Sequence, residues 1–255
     1  MGRAIGLALA RAGCTHIALL DMNGSGLAEV RTSILAEQTG RDIHVLALTC
    51  DVSDESSVAN AFETIHREFP RLDYAVNCAG IVGNPGASDT LAPSDFDKTL
   101  AVNLRGTFLC ARQEIKLMKG QQLDADVYPG IPGVRAQRGS IVNIASVGGW
   151  VAMRTQVAYC SSKAAILGLT RGDAADNSPF QIRVNAVAPG AIETPMTHAT
   201  EDIAKFVEAN AVEATMMKRW GYADEVADTC LFLCSNRASF IQGATIAIDG
   251  GYSAL

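Results

Sequence analysis

The sequence predicts an α/β fold, a doubly wound parallel sheet, and three observations predict it. Short apolar runs such as HIALLD (16–21), IHVLAL (43–48), SIVNIA (140–145) and QIRVNAVA (181–188) recur along the chain, each the length of a buried strand. Helix-length segments separate them, as a parallel sheet requires, because parallel neighbours are joined only by crossovers. No internal repeat or linker interrupts the pattern, so the 255 residues read as a single domain, 1–255, a size that α/β folds commonly use as one unit.

Each element has its own signal. Ile5, Leu7, Ala8, Leu9 and Ala12 fall at helical spacing, and the pattern stops at Gly13. This opening stretch resembles a signal peptide only superficially: Arg11 interrupts its apolar run and no small-residue cleavage site follows. HIALLD is then a strand ending in an acid, Gly24 to Glu37 a helix, and IHVLAL the next strand. A helix from Asp54 to Phe69 is closed by Pro70, and a strand from Leu72 to Asn77 runs into Gly80. A long helix covers about Pro93 to Met118. Lys119 to Gly139, with four glycines and two prolines, is read as a surface loop remote from the chemistry. After SIVNIA come a helix from about Thr155 to Asp173, the strand at 181–188, a helical patch at 197–217, a helix from Ala223 to Cys234, and a strand ATIAID at 244–249.

Charge and cysteine usage exclude several classes of function. The chain carries 21 basic and 27 acidic residues, a net −6, with no Lys/Arg run that could track phosphates, so neither nucleic acid nor an anionic membrane is an expected partner. No apolar stretch approaches the ~18 to 20 residues of a bilayer span. The seven cysteines are odd in number and several sit in apolar runs, which suggests a reducing compartment and a cytoplasmic location. Cys230 and Cys234 share a helical face, but no CxxC or nearby His completes a ligand set, so a core role is favoured and no metal is expected.

The chemistry is concentrated in IVNIASVGGWVAMRTQVAYCSSKAAILGLTR. Tyr159 and Lys163 lie four apart on a predicted helix and point the same way. Ser146 comes just past the carboxyl end of a strand, where open α/β sheets place their ligand crevice. A tyrosine with a pKa near ~10 is a poor base at neutral pH, and a close ammonium would lower it; about three units would take roughly 4 kcal/mol. The Ser146 hydroxyl is placed to hydrogen-bond a carbonyl or alcohol oxygen. The alternative is a chance helical pair with a solvated lysine.

Further motifs occur in a telling order, and with them the chain resembles a classical short-chain dehydrogenase/reductase from Met1 to Leu255. VNCAGI matches the family's Asn-x-Ala-Gly turn beside the cofactor at Asn77, Ala79 and Gly80, and VNLRGTF puts Asn103 at the position completing an Asn-Ser-Tyr-Lys tetrad. Asp51 and Val52 resemble the adenine-contacting pair. VAPGAIETPM resembles the segment closing over nicotinamide, with Pro189, Gly190, Ile192 and Thr194 as contacts, and IDGGY is a typical ending. Each piece also has a plain structural use: Asn77 could tie strands together, Asn103 could bridge backbone groups, and Pro189-Gly190 could be an ordinary turn.

The resemblance implies a Rossmann-like sheet, a homo-oligomer (tetramer or dimer) and reversible hydride transfer between a nicotinamide cofactor and a secondary alcohol or ketone. Tyr159 would act as general acid and base, Lys163 would lower its pKa and bind nicotinamide ribose, Ser146 would orient the reacting oxygen, and Asn103 would hold a relay water. Asp21, at a strand end, favours NAD over NADP, since a carboxylate accepts ribose hydroxyls and repels a 2′-phosphate. It could equally begin the Asp-Met-Asn-Gly turn, and Arg3 or Arg11 could soften the repulsion.

One departure stands out. The family's first strand and Thr-Gly-x-x-x-Gly-(Ile/Met)-Gly turn are represented only by Met1-Gly2-Arg3, leaving Gly2 as the remnant of the phosphate cradle. The expectation is a start truncated relative to a complete enzyme. The competing reading is a shortened scaffold, a non-redox isomerase, cyclase or binding protein. Without that strand, its neighbours would have to close together or leave backbone groups unpaired. A substrate lid is expected at about 191–220. Met196, Phe206, Val207, Met216, Met217 and Trp220 in it, with Trp150 and Met153 opposite, suggest a moderately hydrophobic carbonyl compound. Most of these lid residues are expected to pack onto the core, and His198 to be a polar lid residue.

Overall fold

The computed structural model describes residues 1–37, 42–123 and 135–254. It shows one α/β domain in which every strand pairing is parallel. In chain order the elements are α1 (Gly2–Arg11), β1 (His16–Asp21), α2 (Gly24–Glu37), β2 (His44–Thr49), α3 (Glu55–Glu68), β3 (Tyr74–Asn77), α4 (Pro93–Leu100), α5 (Thr107–Gly120), β4 (Gly139–Ile144), α6 (Val157–Asn177), β5 (Ile182–Pro189), β6 (Ile192–Glu193), α7 (Glu201–Val207), β7 (Gly221–Tyr222), α8 (Ala223–Cys234) and β8 (Thr245–Ile248).

Helices cover both faces. Residues of α1 and α8 share a core with β4 and β5 on one side, where Ile5, Val142, Ile144, Val187, Val226 and Leu233 meet. On the other side α3 and α5 close over β1 and β2 through Phe62, Ile65 and Leu109, while Met118, Ile141, Ala174 and Val184 join α5 and α6 to the sheet. Burial on both faces explains why β4 and β5 lack the strict apolar–polar alternation of a strand with one wet face: every residue of both is buried. Arg183, the charged residue in that interior, lies at the end of α8 and donates to the carbonyls of Leu233, Cys234 and Ser235 at 2.6, 3.2 and 3.0 Å. A cation there satisfies carbonyls that a helix C-terminus leaves open and complements its dipole.

The main sheet is in two blocks, β1–β2 and β3–β4–β5–β8, and no ladder joins β1 to β3 among the described residues. The two strands flanking the expected gap have therefore not closed together. Helices bridge the blocks instead: α1 packs on both α2 and α8, and α3 packs on α5.

Several expectations need correction. The strand expected from Leu72 is shorter, beginning at Tyr74. The helix expected over Pro93 to Met118 is interrupted by a π-helical turn at Ala101–Gly106, where Val102 and Gly106 weaken α-helical continuity and Asn103 is held from outside the helix. The patch at 197–217 contains only α7, capped by Thr200, and a π turn at Glu208–Val212. A short β6–β7 pairing, not foreseen, joins the two ends of this segment. Of the loop expected at 119–139, Lys119 and Gly120 finish α5 and Gly139 opens β4, while 124–134 lie outside the described residues. All seven cysteines are free thiols. Among the described residues no helix is long and apolar enough to cross a membrane.

Candidate active site

Because the strands are parallel, their carboxyl ends share one edge of each block, and the residues singled out from the sequence lie there. Asp21 ends β1, Asn77 ends β3, Ser146 follows β4 and Pro189 ends β5. Helix α6 then brings Tyr159 and Lys163 to the same place. The Lys163 ammonium nitrogen lies 5.8 Å from the centre of the Tyr159 ring and donates to the Ile144 carbonyl at 2.8 Å.

Two glycines show how closely the four polar residues converge. A Cβ on Gly80 would lie 3.2 Å from Asn103 Oδ1 and 3.5 Å from Lys163 Nζ. One on Gly148 would lie 3.4 Å from Tyr159 Cε1, 3.5 Å from Ser146 Oγ and 2.8 Å from Met153 Sδ. Bare backbone at both positions lets these groups approach so closely, with Met153 Sδ filling the space beside Gly148.

Asn103 is fully buried and its side chain is committed. It donates to the Ile81 carbonyl at 2.8 Å and to Ser162 Oγ at 3.0 Å, and accepts from the Ile81 N–H at 2.8 Å. Both amide hydrogens are spent, so the carboxamide fastens the 78–81 turn to α6 and is not free to hold a relay water as a donor. Ser162, which the sequence reading missed, closes this link by donating to the Tyr159 carbonyl at 2.7 Å. Its place between Tyr159 and Lys163 was the available signal.

The electrostatics differ from expectation. Burial pushes the Tyr159 phenol above its ordinary value, opposed by its interaction with the Ser146 hydroxyl. Burial also pulls Lys163 down to about 8. In this form desolvation penalises the charged forms of both groups, and at the phenol only the Ser146 hydroxyl opposes it.

Other residues divide between cleft and scaffold. Ala79 is exposed beside Gly80 at the end of β3. The Asn77 side chain turns inward, donating to Glu114 and Asn143 at 3.0 Å each, so it ties strands together. Val52 packs against Gly106, and Asp51 accepts from the Ser53 amide at 2.9 Å and its hydroxyl at 2.7 Å, a turn-forming use. Ile192 is buried in the core and its carbonyl accepts from Thr197 at 2.8 Å. Thr194 faces Thr197 at 3.2 Å, and Gly190 donates to the Ile248 carbonyl at 3.0 Å. In the segment after β6, Met196, Phe206, Met216 and Met217 are exposed, which corrects the expectation that most such residues pack onto the core. His198 stacks on Trp220 with ring centres 4.9 Å apart.

The wall before α6 is strained. Thr155 sits at φ 60°, costly for a β-branched residue, by about 1–3 kcal/mol. The Gly86 N–H donates to its carbonyl at 2.8 Å, and a parallel bridge pairs Gly86 with Gln156.

The residues present fit a dinucleotide along this edge. The Gly80 cradle would be filled by a Cβ, and the first turn of α1, with Gly2 in it, has no side-chain cap occupying its amides. Only one Asp21 oxygen, Oδ1, takes the turn contact from the Asn23 N–H, at 2.9 Å.

A family model described as Enoyl-(Acyl carrier protein) reductase matches residues 1–253. The chain is 36% identical to short-chain dehydrogenase srdC of Neurospora crassa, over 98% of this chain and 92% of that protein. It is 34% identical to levodione reductase of Leifsonia aquatica, over 100% of this chain and 90% of that protein. The crystal structure of levodione reductase superposes with a TM-score of 0.88 at 34% identity, covering 99% of this chain and 93% of the other. With fold, tetrad convergence and relatives in agreement, the chain belongs to the short-chain dehydrogenase/reductase family, oxidoreductases that transfer hydride with a nicotinamide dinucleotide.

Proposed function

We propose that the chain interconverts a secondary alcohol and a ketone, with Tyr159 as the general acid and base. The observation that carries this reading is the meeting of Ser146, Tyr159 and Lys163 at one cleft, over Gly148 and beside Gly80. When bound, the nicotinamide supplies or accepts the hydride. The protein's part is to orient the reacting oxygen through the Ser146 hydroxyl and to move one proton at the Tyr159 oxygen, given in reduction and taken in oxidation. Lys163, neutral or charged near pH 8, is poised to exchange a proton with its surroundings and to hold a ribose hydroxyl. Asn103 positions the 78–81 turn and α6 relative to one another.

NAD is the preferred cofactor in this reading, supported by the Asp21 carboxylate at the end of β1, with Gly2, Asp51, Ala79, Gly80, Pro189, Gly190 and Thr194 along the same edge. The segment at about 191–220, joined at its ends by β6 and β7, serves as the substrate lid. The protein works as a homo-oligomer in the cytoplasm on a small carbonyl or alcohol compound, without nucleic acid. The isomerase alternative has a structural neighbour of that name, a ribose-5-phosphate isomerase of Brucella melitensis at 30% identity, but the dehydrogenase and reductase relatives favour hydride transfer over it and over the cyclase and binding-protein readings. Fluorescence titration of the chain with NADH and NADPH, followed by ketone-dependent NADH oxidation, tests the reading. Saturable binding with NADH tighter, and turnover, are expected; binding of neither nucleotide would reject it.

A further inference from the structure

We propose that Met153 selects the substrate by size, its thioether forming the wall beside the reacting oxygen; this rests on the reaction proposed above. The missing side chain of Gly148 defines the place. At that point Met153 Sδ, Tyr159 Cε1 and Ser146 Oγ lie 2.8, 3.4 and 3.5 Å from where a Cβ would be, so the thioether shares one small space with the two groups that handle the oxygen. Met153 is nevertheless 40% exposed, so part of its surface is open to solvent.

The wall is also held in position. The Met153 carbonyl accepts from the Gln156 N–H at 3.3 Å, and the Gly86 N–H holds the Thr155 carbonyl at 2.8 Å. Thr155 keeps φ 60°, a conformation that persists only where surroundings over-determine it. These contacts fix the backbone of the wall at the start of α6, three residues before Tyr159 at Gln156, so the position from which the thioether projects is set.

The chemistry of that wall names the substrate class. A thioether is soft and apolar; hydroxyls or a carboxylate next to the carbonyl would lie against it unpaired, at a cost in affinity. The preferred compounds are ketones carrying alkyl or alicyclic substituents, with bulk on the Met153 side limited.

The test uses methyl ketones bearing ethyl, isopropyl and tert-butyl groups. Met153→Ala should raise kcat/KM for the tert-butyl compound relative to the ethyl one by about tenfold or more. Gly148→Ala, which drives the thioether outward, should lower that ratio. A second readout does not depend on turnover: with methyl-labelled methionine in the Tyr159→Phe protein and NAD present, cyclohexanone should shift the Met153 methyl resonance and leave that of Met22, which is exposed at the end of β1, unmoved. An unchanged ratio in both variants, or a Met153 resonance that does not respond, would overturn the proposal. Retained turnover in Tyr159→Phe would instead overturn the reaction on which it rests.

Discussion

The inner strands of the four-stranded block, β4 and β5, differ from the two-stranded block in how much of themselves they bury, while β3 and β8 at its edges have no buried residue. Every residue of β4 and β5 is buried, whereas in β1 and β2 only Ile17 and Val45 are, the rest being half-buried or exposed. The block β3–β4–β5–β8 carries the tetrad, with Ser146 on the turn after β4 and the helices bearing Asn103, Tyr159 and Lys163 packed on it. The block β1–β2 carries Asp21 and the other positions expected to face adenosine. The proton-handling side thus stands on the two-sided packing of β4 and β5, and the nucleotide-selecting side on a smaller block attached through helices. Precise placement of charge-handling groups demands a rigid support, and that is where the burial is concentrated.

The largest effect expected within the tetrad block is chemical. Tyr159→Phe should lower kcat by about 10²–10⁴-fold, the usual worth of a general acid–base group, with NADH affinity within about twofold of the parent by fluorescence titration. A comparable loss of affinity would mean that the tyrosine serves binding rather than proton transfer.

Stability should separate the blocks next. Ile141→Ala in β4, where the side chain is fully buried, should cost about 2–5 kcal/mol in urea denaturation, and Leu20→Ala in half-buried β1 only about 1 kcal/mol. Equal costs would erase the contrast.

The tetrad block also contains an expensive group. Glu114 on α5 is buried and its carboxyl is pushed up to about 8, first by burial and also by Asp173, with the Asn77 hydrogen bond pulling the other way. A carboxyl whose folded pKa exceeds its unfolded value contributes stability fully below the unfolded value, and that contribution is lost as pH rises through the folded value. The parent should therefore lose roughly 4 kcal/mol between about pH 4.5 and pH 8 from this group. Glu114→Gln, which keeps an acceptor for Asn77, should flatten that slope and be the more stable form at pH 8. Parallel slopes for the two proteins, measured as urea midpoints against pH, would remove Glu114 from the account.

The smallest effect belongs to the segment between β6 and β7. Thr200 accepts from the Ile203 N–H at 3.2 Å at the start of α7, so Thr200→Ala should weaken that helix by about 1 kcal/mol. Hydrogen exchange at 201–207 should quicken with no change in exchange across β4 and β5.

Much of the site was legible because it rests on local rules. The four-residue spacing of Tyr159 and Lys163 on a helix is sufficient to put both side chains on one face, and the structure brings them together. Ser146 and Asp21 follow from the same kind of rule, since strand ends in a parallel sheet share an edge. Asn77 and Ile192 show where this stops. Their motif positions were clear, but whether a side chain turns into the cleft or into the core depends on Glu114, Asn143 and Gly221, which are distant in sequence. The π turn at Ala101–Gly106 was invisible for the same reason: it is tied to Ile81 and Ser162 from outside the helix.

By itself the sequence determined the alternation of strands and helices, the parallel sheet and the pairing of Tyr159 with Lys163, because periodicity and spacing act within a few residues of one another; the family, and with it the place of Asn103 in a tetrad, came from the resemblance of its motifs. Only the tertiary structure decided that β1 and β3 stay apart, that the Asn103 carboxamide fastens the 78–81 turn to α6, and that Tyr159 is raised rather than lowered. Those outcomes depend on desolvation and on hydrogen-bond partners brought from remote parts of the chain, and burial exists only once the chain has folded.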